Sequence, residues 1–204
     1  HHGINITDAF MEAVKNDDEF DLLSPKSGEP LRKVNARKIW QKILELRIQT
    51  GEPYLLFTDT VNNAMPAHQR KLGLKVTQSN LCSEITLPTG IDHLGVDRTA
   101  VCCLSSVNAE KFMEWSKEDG FLEDIYRFLD NVLQNFIDNA PDEMSRAVYS
   151  AQRERSVGLG LMGFHSFLQS MNVSIESAMA KVWNEKMFKH IRQGADAASV
   201  KLAK

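Results

Sequence analysis

Three side chains with different chemistry stand at alternate positions of one short segment. Asn80, Cys82 and Glu84 supply an amide, a thiol and a carboxylate. Residues 73–88 show no helical periodicity, which predicts an extended backbone. Alternate side chains of an extended backbone point to the same side. The sequence therefore predicts that the three groups line one face.

The chemistry of this trio differs from that of a cysteine protease. A carboxylate beside a thiol disfavours the thiolate by charge repulsion, whereas a protease nucleophile needs a cationic neighbour. The trio fits a thiol that stays protonated and exchanges a hydrogen atom. Glu84 would then act as general base on a nearby hydroxyl, and the Asn80 amide would hold a second hydroxyl.

A purely structural interpretation of the same residues stays open. Cys82 can be a small buried hydrophobe, Glu84 a surface charge and Asn80 a turn residue. Because free cysteines are usually buried and inert, the residue pattern alone favours this alternative.

The elements around this segment follow from apolar periodicity, caps and breakers. The first hundred residues predict a helix over 8–15 capped by Thr7, loop over 16–34, a helix from Asn35 to Gly51, a strand over 54–57, a polar loop over 58–66 and a turn-rich connection over 90–98.

Beyond a second short apolar stretch at 101–107, the pattern is mainly helical. The sequence predicts a helix from Asn108 to near Gly120, a long apolar stripe over 122–137 that Pro141 stops, and helices near 143–154, 163–171 and from 177 to the end. The fold class is α/β, helix-rich with a few short buried strands, too few to close a sheet or barrel. No linker indicates a second domain.

Length, net charge, apolar runs and cysteine count bear on the class of protein. The 204 residues suffice for one domain, and a net charge of −3 gives no indication of a nucleic-acid or membrane-surface partner. No apolar run is long enough to span a bilayer, and the first residues do not resemble a signal peptide. Three cysteines, two of them adjacent, are not a disulfide framework and fit a reducing compartment.

Other motifs are interpreted structurally. Gly158-x-Gly160-x-x-Gly163 matches a dinucleotide fingerprint by letter, but polar residues 152–155 precede it and no acidic strand end follows. We expect these glycines to let a helix pack closely. Arg153 and Arg155 are expected on a solvated helix face. The histidines lack metal-ligand spacing, so no metal site is predicted: His68, His93, His165, His190.

Five segments carry a resemblance to a known family: Gly51-Glu52-Pro53-Tyr54, Phe57-Thr58-Asp59-Thr60-Val61-Asn62, Ser79-Asn80-Leu81-Cys82-Ser83-Glu84-Ile85, Cys102-Cys103-Leu104-Ser105-Ser106-Val107-Asn108, and Arg155-Ser156-Val157-Gly158-Leu159-Gly160 with Phe164. In order and spacing they resemble class I ribonucleotide reductase large (alpha, catalytic) subunits, as an internal fragment around the radical cysteine. The Asn-Leu-Cys form favours class I over the cobalamin-dependent class, whose motif typically reads Asn-Pro-Cys-Gly-Glu.

The resemblance implies a role for each matching residue. Cys82 would bear the thiyl radical that abstracts the ribose 3′ hydrogen, Glu84 would take the 3′-hydroxyl proton, and Asn80 would hold the ribose hydroxyls. Leu81 and Ser83 would complete the substrate-binding segment. Cys102 would be one of two thiols that reduce the 2′ position, and the family pattern prefers it to Cys103, for which a packed apolar side chain is the alternative.

The resemblance also implies the setting of this chemistry. Residues 1–204 would be part of one barrel (catalytic) domain, an α/β barrel of ten strands with the radical cysteine on an interior loop. The radical would come from a metal-containing small subunit, electrons from thioredoxin or glutaredoxin, and the substrate would be a nucleoside diphosphate. ATP and dNTP effectors would bind to parts of the large subunit outside this segment. The protein would be located in the cytoplasm, or in the host cytoplasm if it is phage-encoded.

Several functional parts of the family are expected outside these residues, including the partner thiol of Cys102. We therefore expect the chain alone not to turn over, and to need the remaining parts of the large subunit. Two alternatives stay open: a non-catalytic helical interaction module built on the 122–137 stripe, and a dinucleotide-dependent oxidoreductase, which would need a strand running directly into Gly158.

Overall fold

A computed structural model describes residues 2–203, which separate into two units between Ala100 and Val101. In the first unit the elements are β1 (Gly3–Ile6), α1 (Asp8–Asn16), β2 (Glu19–Leu23), β3 (Pro30–Asn35), α2 (Ala36–Thr50), β4 (Tyr54–Phe57), α3 (Thr58–Ala64), α4 (Ala67–Lys71), β5 (Gly90–Ile91) and β6 (Asp97–Arg98).

The first unit is organised around a parallel strand pair. β1 pairs with β4 in register from Gly3 opposite Tyr54 to Ile6 opposite Phe57. A parallel connection needs a long crossover, and here it runs through α1, a hairpin and α2. The buried core beside this pair consists of Ile6, Phe10, Val14 and Ala36.

Both helices of this crossover begin at the predicted residues, α2 ends at the predicted Gly51, and α1 runs one residue beyond its predicted end, to Asn16. The Thr7 hydroxyl accepts a hydrogen bond from the Phe10 N–H at 3.2 Å, and the Asn35 side chain accepts one from the Lys38 N–H at 2.9 Å. Gly51 ends α2 with φ of 78°. Side-chain caps satisfy amides that the first helical turn leaves unpaired, which explains why these predictions are confirmed.

Two segments predicted as loops are regular structure. Residues 16–34 contain the antiparallel hairpin of β2 and β3, because the Pro and Gly residues mark only its turn and the flanking residues pair. Phe20 of β2 packs edge-on against Phe10 at 5.2 Å between ring centroids. Residues 58–64 form α3, where tertiary contact outweighs the polar composition: Val61 packs on a buried cluster.

The second unit contains β7 (Cys103–Asn108), α5 (Phe112–Trp115), α6 (Phe121–Asn139), α7 (Ser145–Glu154), β8 (Val157–Met162), α8 (Phe164–Ser170) and α9 (Ala178–Leu202), with 3₁₀ turns at 109–111 and 142–144. β7 and β8 are parallel, from Cys103 opposite Val157 to Asn108 opposite Met162. The buried leucines of α6 follow the predicted apolar stripe, and α6 packs against α9. Over residues 2–203 the strands form two-stranded sheets and no closed barrel, as expected.

The glycines of the 158–163 motif do not pack a helix, contrary to the sequence prediction. Gly158 and Gly160 lie inside β8. A Cβ on Gly158 would lie 2.5 Å from Leu104 Cδ2, and one on Gly160 would lie 3.0 Å from Ser106 Oγ, so small residues allow close approach to β7. A dinucleotide fingerprint needs its glycines in the turn after the strand, so this motif does not have that geometry.

A buried ion pair holds the β5–β6 hairpin. The Asp92 carboxylate oxygen Oδ2 lies 3.0 Å from both Nε and Nη2 of Arg98, and the two side chains are 0% and 3% exposed. The other oxygen accepts hydrogen bonds from the N–H groups of Leu94 and Val96, at 2.8 and 3.1 Å. Each oxygen of this buried carboxylate is therefore satisfied.

Removing the Arg98 guanidinium from this ion pair should destabilise the folded chain. We expect Arg98→Met to lower the free energy of unfolding by about 3–5 kcal/mol, because the Asp92 carboxylate would stay buried without the guanidinium. Arg127→Met, which removes an exposed partner of Glu123, is the control and should cost about 0–1 kcal/mol. Urea unfolding measures both, and equal losses would contradict burial as the cause.

Candidate functional site

The segment that carries the chemical trio is a loop closed at its base. We call residues 74–89 the cysteine loop. The Thr89 N–H donates to the Lys75 carbonyl at 3.0 Å, and the hydroxyl oxygens of Thr77 and Thr89 lie 2.6 Å apart. Leu74 and Val76 are buried with Met65. The two ends of the loop are therefore held together and anchored on a small core.

The tip of the cysteine loop is a turn, so the prediction of a continuous extended backbone is wrong there. The Ser83 N–H donates to the Asn80 carbonyl at 3.1 Å, and Ser83 has φ of 67°. The Asn80 Oδ1 accepts from the Ile85 N–H at 3.1 Å, and the Ser79 hydroxyl donates to the Ile85 carbonyl at 2.7 Å. Asparagine side chains form such local bonds readily, and they compete with strand geometry.

This turn still joins two members of the trio. The Asn80 Nδ2 donates to the Glu84 Oε1 at 2.8 Å. Cys82 lies between them in the chain, at the turn, and is an exposed free thiol. Amide and carboxylate therefore meet through the turn, and not through the alternation of a strand.

A groove of about 370 Å³ runs beside the tip. Its wall on the cysteine-loop side includes Asn80, Leu81 and Ser83, and Cys82 and Glu84 are not among its described lining residues. β1 and β4 contribute the remaining wall, for which the lining residues are His2, Gly3, Ile4, Asn5, Tyr54 and Leu56. At this wall the backbone N–H of His2 donates to Glu52, which lowers the pKa of that carboxyl. Three of the predicted substrate-binding residues thus border one cavity.

The adjacent cysteines lie at the start of the second unit. Cys103 is the first residue of β7, and Cys102 precedes the strand with its Sγ 3.7 Å from the Cys103 carbonyl oxygen. Both side chains are half-buried and are not joined by a disulfide. Burial raises the pKa of Cys103, which fits the packed role expected for that residue. The choice of Cys102 as redox thiol stays a prediction.

Arg155 is not on a solvated helix face, contrary to the sequence expectation. It ends α7 in the left-handed conformation, and its Nε donates to Asp130 Oδ1 at 2.7 Å. Its other nitrogens donate to the Gln134 side chain and the Asp130 carbonyl. The hydrogen bond that Arg155 donates to the Asp130 carboxylate raises the pKa of Arg155. Arg155 therefore joins α7 to α6, a role that local sequence does not reveal.

The four histidines considered above differ in their surroundings. His68, His93 and His165 are exposed, and the His190 ring packs on Phe112 and Trp115. Within residues 2–203, no three His, Cys, Asp or Glu side chains are grouped as metal ligands. The helices of the same residues include none with the length and apolarity to cross a bilayer.

Sequence reasoning missed the residues that support the cysteine loop. Asn62 of α3 hydrogen-bonds the backbone of Val76, and Asn5 of β1 donates to the Thr77 carbonyl. The only sequence signal was the position of Asn62 at the end of the 57–62 motif.

The chain belongs to the ribonucleotide reductase barrel-domain family. The family model described as "Ribonucleotide reductase, barrel domain" matches residues 1–204. A Frog virus 3 (isolate Goorha) protein provisionally named ribonucleoside-diphosphate reductase large subunit is 48% identical over 208 residues, which cover 100% of this chain and 36% of that protein. The ribonucleoside-diphosphate reductase large subunit of Invertebrate iridescent virus 3 is 44% identical over 194 residues, 95% of this chain and 30% of the relative.

A solved structure agrees with this membership. The Actinobacillus ureae class Id ribonucleotide reductase alpha subunit matches with a TM-score of 0.83 and 33% identity, over 100% of this chain and 35% of that one. The chain spans about a third of the length of these relatives and corresponds to a segment of the large subunit.

Cys82 and Cys103 should differ in how fast they are alkylated. Cys82 is exposed, whereas the raised pKa of Cys103 leaves less thiolate at neutral pH. We expect iodoacetamide at about pH 7.5 to modify Cys82 at least about fivefold faster than Cys103, because the thiolate is the reacting form and access limits its rate. Tandem mass spectrometry resolves the two sites, and faster labelling of Cys103 would contradict the prediction.

Proposed function

We propose that this chain is the segment of ribonucleoside-diphosphate reductase, an oxidoreductase of deoxyribonucleotide biosynthesis, that carries the radical cysteine. The complete large subunit would convert ribonucleotides to deoxyribonucleotides for DNA replication. The observation that carries the proposal is the turn in which the Asn80 amide is hydrogen-bonded to the Glu84 carboxylate and which also carries the exposed Cys82, in a chain of this family.

The first step uses all three side chains. A thiyl radical on Cys82 takes the hydrogen atom from the ribose 3′ carbon, which restores the thiol and leaves a substrate radical. Glu84 accepts the 3′-hydroxyl proton, a role that suits a carboxylate exposed to solvent and able to accept a hydrogen bond. The Asn80 Nδ2 has two hydrogens, so it can donate to Glu84 and to a ribose hydroxyl while its Oδ1 keeps the Ile85 N–H.

The second step removes the 2′-hydroxyl as water. Cys102 and a second thiol of the complete subunit supply two electrons and two protons and end as a disulfide. One proton leaves with the 2′-hydroxyl as water, the other hydrogen ends on the 2′ carbon, and Glu84 returns its proton to the 3′ oxygen. Cys82 then returns its hydrogen atom to the 3′ carbon and becomes a thiyl radical again. A dithiol reductant of the thioredoxin or glutaredoxin type reduces the disulfide for the next turnover.

The remaining partners follow from the same proposal. A metal-containing small subunit generates the radical, and other parts of the large subunit complete the barrel and bind ATP and dNTP effectors. The substrate is a nucleoside diphosphate whose ribose contacts Cys82 and Glu84, beside the groove that Asn80, Leu81 and Ser83 border. The enzyme acts in the cytoplasm.

The helical interaction module has no support from the comparisons, and its main motivation has another explanation. The apolar stripe of α6 buries Leu122, Leu129 and Leu133, and α6 packs against α9 within the same unit. A stripe that forms core is not available to a partner.

Replacing Cys82 tests the reaction directly. We expect Cys82→Ser in the complete large subunit, assayed with its small subunit, to reduce deoxynucleotide formation below about one-thousandth of wild type, because the reacting group is lost. Cys103→Ser is the matched control and should keep most of the activity. Deoxynucleotide formation by Cys82→Ser at the control level would refute the proposal.

A second pair of variants separates the neighbouring thiols. We expect Cys102→Ser to stop turnover with thioredoxin as reductant, whereas Cys103→Ser should stay within about threefold of wild type, since Cys103 has no role in the proposed reaction and its half-buried position lets a hydroxyl reach water. Steady-state assays of both variants measure this. The reverse order would assign the redox role to Cys103.

A further inference from the structure

The cysteine loop begins with a strand-like segment that lacks a strand neighbour. Leu74 and Val76 alternate with exposed residues and are 8% and 3% exposed, yet neither belongs to a strand of the described chain. The N–H and C=O groups of a buried backbone both need hydrogen-bond partners, and a sheet normally supplies them.

Asn62 supplies the missing pairing. Its Nδ2 donates to the Val76 carbonyl at 2.9 Å, and its Oδ1 accepts from the Val76 N–H at 2.9 Å. One side-chain amide thus takes both backbone groups of one residue, as a neighbouring strand would. The second Nδ2 hydrogen is donated to the Thr58 carbonyl at 2.8 Å, so the amide is fixed to its own helix.

Further hydrogen bonds hold the two ends of the cysteine loop next to Val76. The Thr77 carbonyl accepts from Asn5 Nδ2 at 2.7 Å, and the Thr89 hydroxyl accepts from the Thr77 N–H at 3.3 Å. Together with the contact between the two threonine hydroxyls, these bonds fix where the loop leaves and re-enters the unit. The tip that carries Cys82 projects from this base.

We propose that Asn62 is a positioning residue for Cys82, acting through the backbone of Val76, with Thr89 as its counterpart at the other end of the cysteine loop. The inference rests on the proposed function of Cys82. Hydrogen-atom transfer depends on a short, aligned approach of sulfur to carbon, so a small displacement of the loop base should slow the reaction more than it weakens substrate binding.

The experiment uses the complete large subunit with its small subunit. Asn62→Asp keeps the size of the side chain but places a carboxylate against the Val76 carbonyl in place of an N–H donor. We expect kcat to fall about 10- to 100-fold with KM within about threefold, since the loss is in positioning. Amide hydrogen exchange at Val76 should become faster.

Asn63→Asp is the matched control. It introduces the same charge one position along α3, at an exposed residue, and should leave kcat, KM and the exchange rate of Val76 near wild type. If Asn62→Asp has the kinetics of Asn63→Asp while Cys82→Ser is inactive, the positioning role is refuted and the proposed function is not. If Cys82→Ser is active, the proposed function itself fails.

Thr89 provides a second test that does not depend on the folding of Asn62→Asp. Thr89→Val removes the hydroxyl at nearly constant shape, and Thr89→Ser keeps it. We expect Thr89→Val to lower kcat about tenfold, the scale of one lost hydrogen bond, and Thr89→Ser to restore it to within about threefold of wild type. Equal kcat for the two variants would overturn the proposal.

Discussion

The site depends on side-chain amides that take the place of strand pairing. A buried or half-buried peptide backbone must find hydrogen-bond partners, and in the cysteine loop no strand provides them. Asn62 pairs with Val76 at the base, and Asn80 pairs with the Ile85 N–H at the tip. Because each amide carries both a donor and an acceptor, one residue can close a loop that would otherwise need a sheet.

This arrangement has a consequence for the exposed thiol. A strand would place Cys82 in a ladder whose neighbours restrict approach from the sides, and an unpaired strand edge invites association with other chains. The turn leaves the Cys82 thiol exposed to solvent, while the hydrogen bonds of Asn80 hold the turn that carries it. The left-handed conformation of Ser83 is part of the same turn.

Much of the fold could be predicted because its signals are local. Thr7, Asn35 and Gly51 bound two helices, and caps of this kind are readable within a few residues. The hairpin at 19–35 was missed because turn residues dominate its composition, and the strand pairing depends on contacts such as Phe20 with Phe10. The α3 helix was missed for a similar reason, since its polar sequence is stabilised by contacts outside the segment.

The candidate site shows the same division between local and distant information. Residue types at 80, 82 and 84, together with the other motifs, suggested the family, but the extended geometry assumed for them was wrong at the tip. The competing bond from Asn80 to the Ile85 N–H decides the conformation, and it spans five positions. The bond from Asn62 to Val76 spans fourteen positions and joins a helix to a loop. Such a contact leaves no periodic pattern in the sequence, although the contact determines where the loop starts. A motif can therefore indicate a family and candidate residues, whereas the placement of those residues depends on polar contacts that only a folded chain reveals.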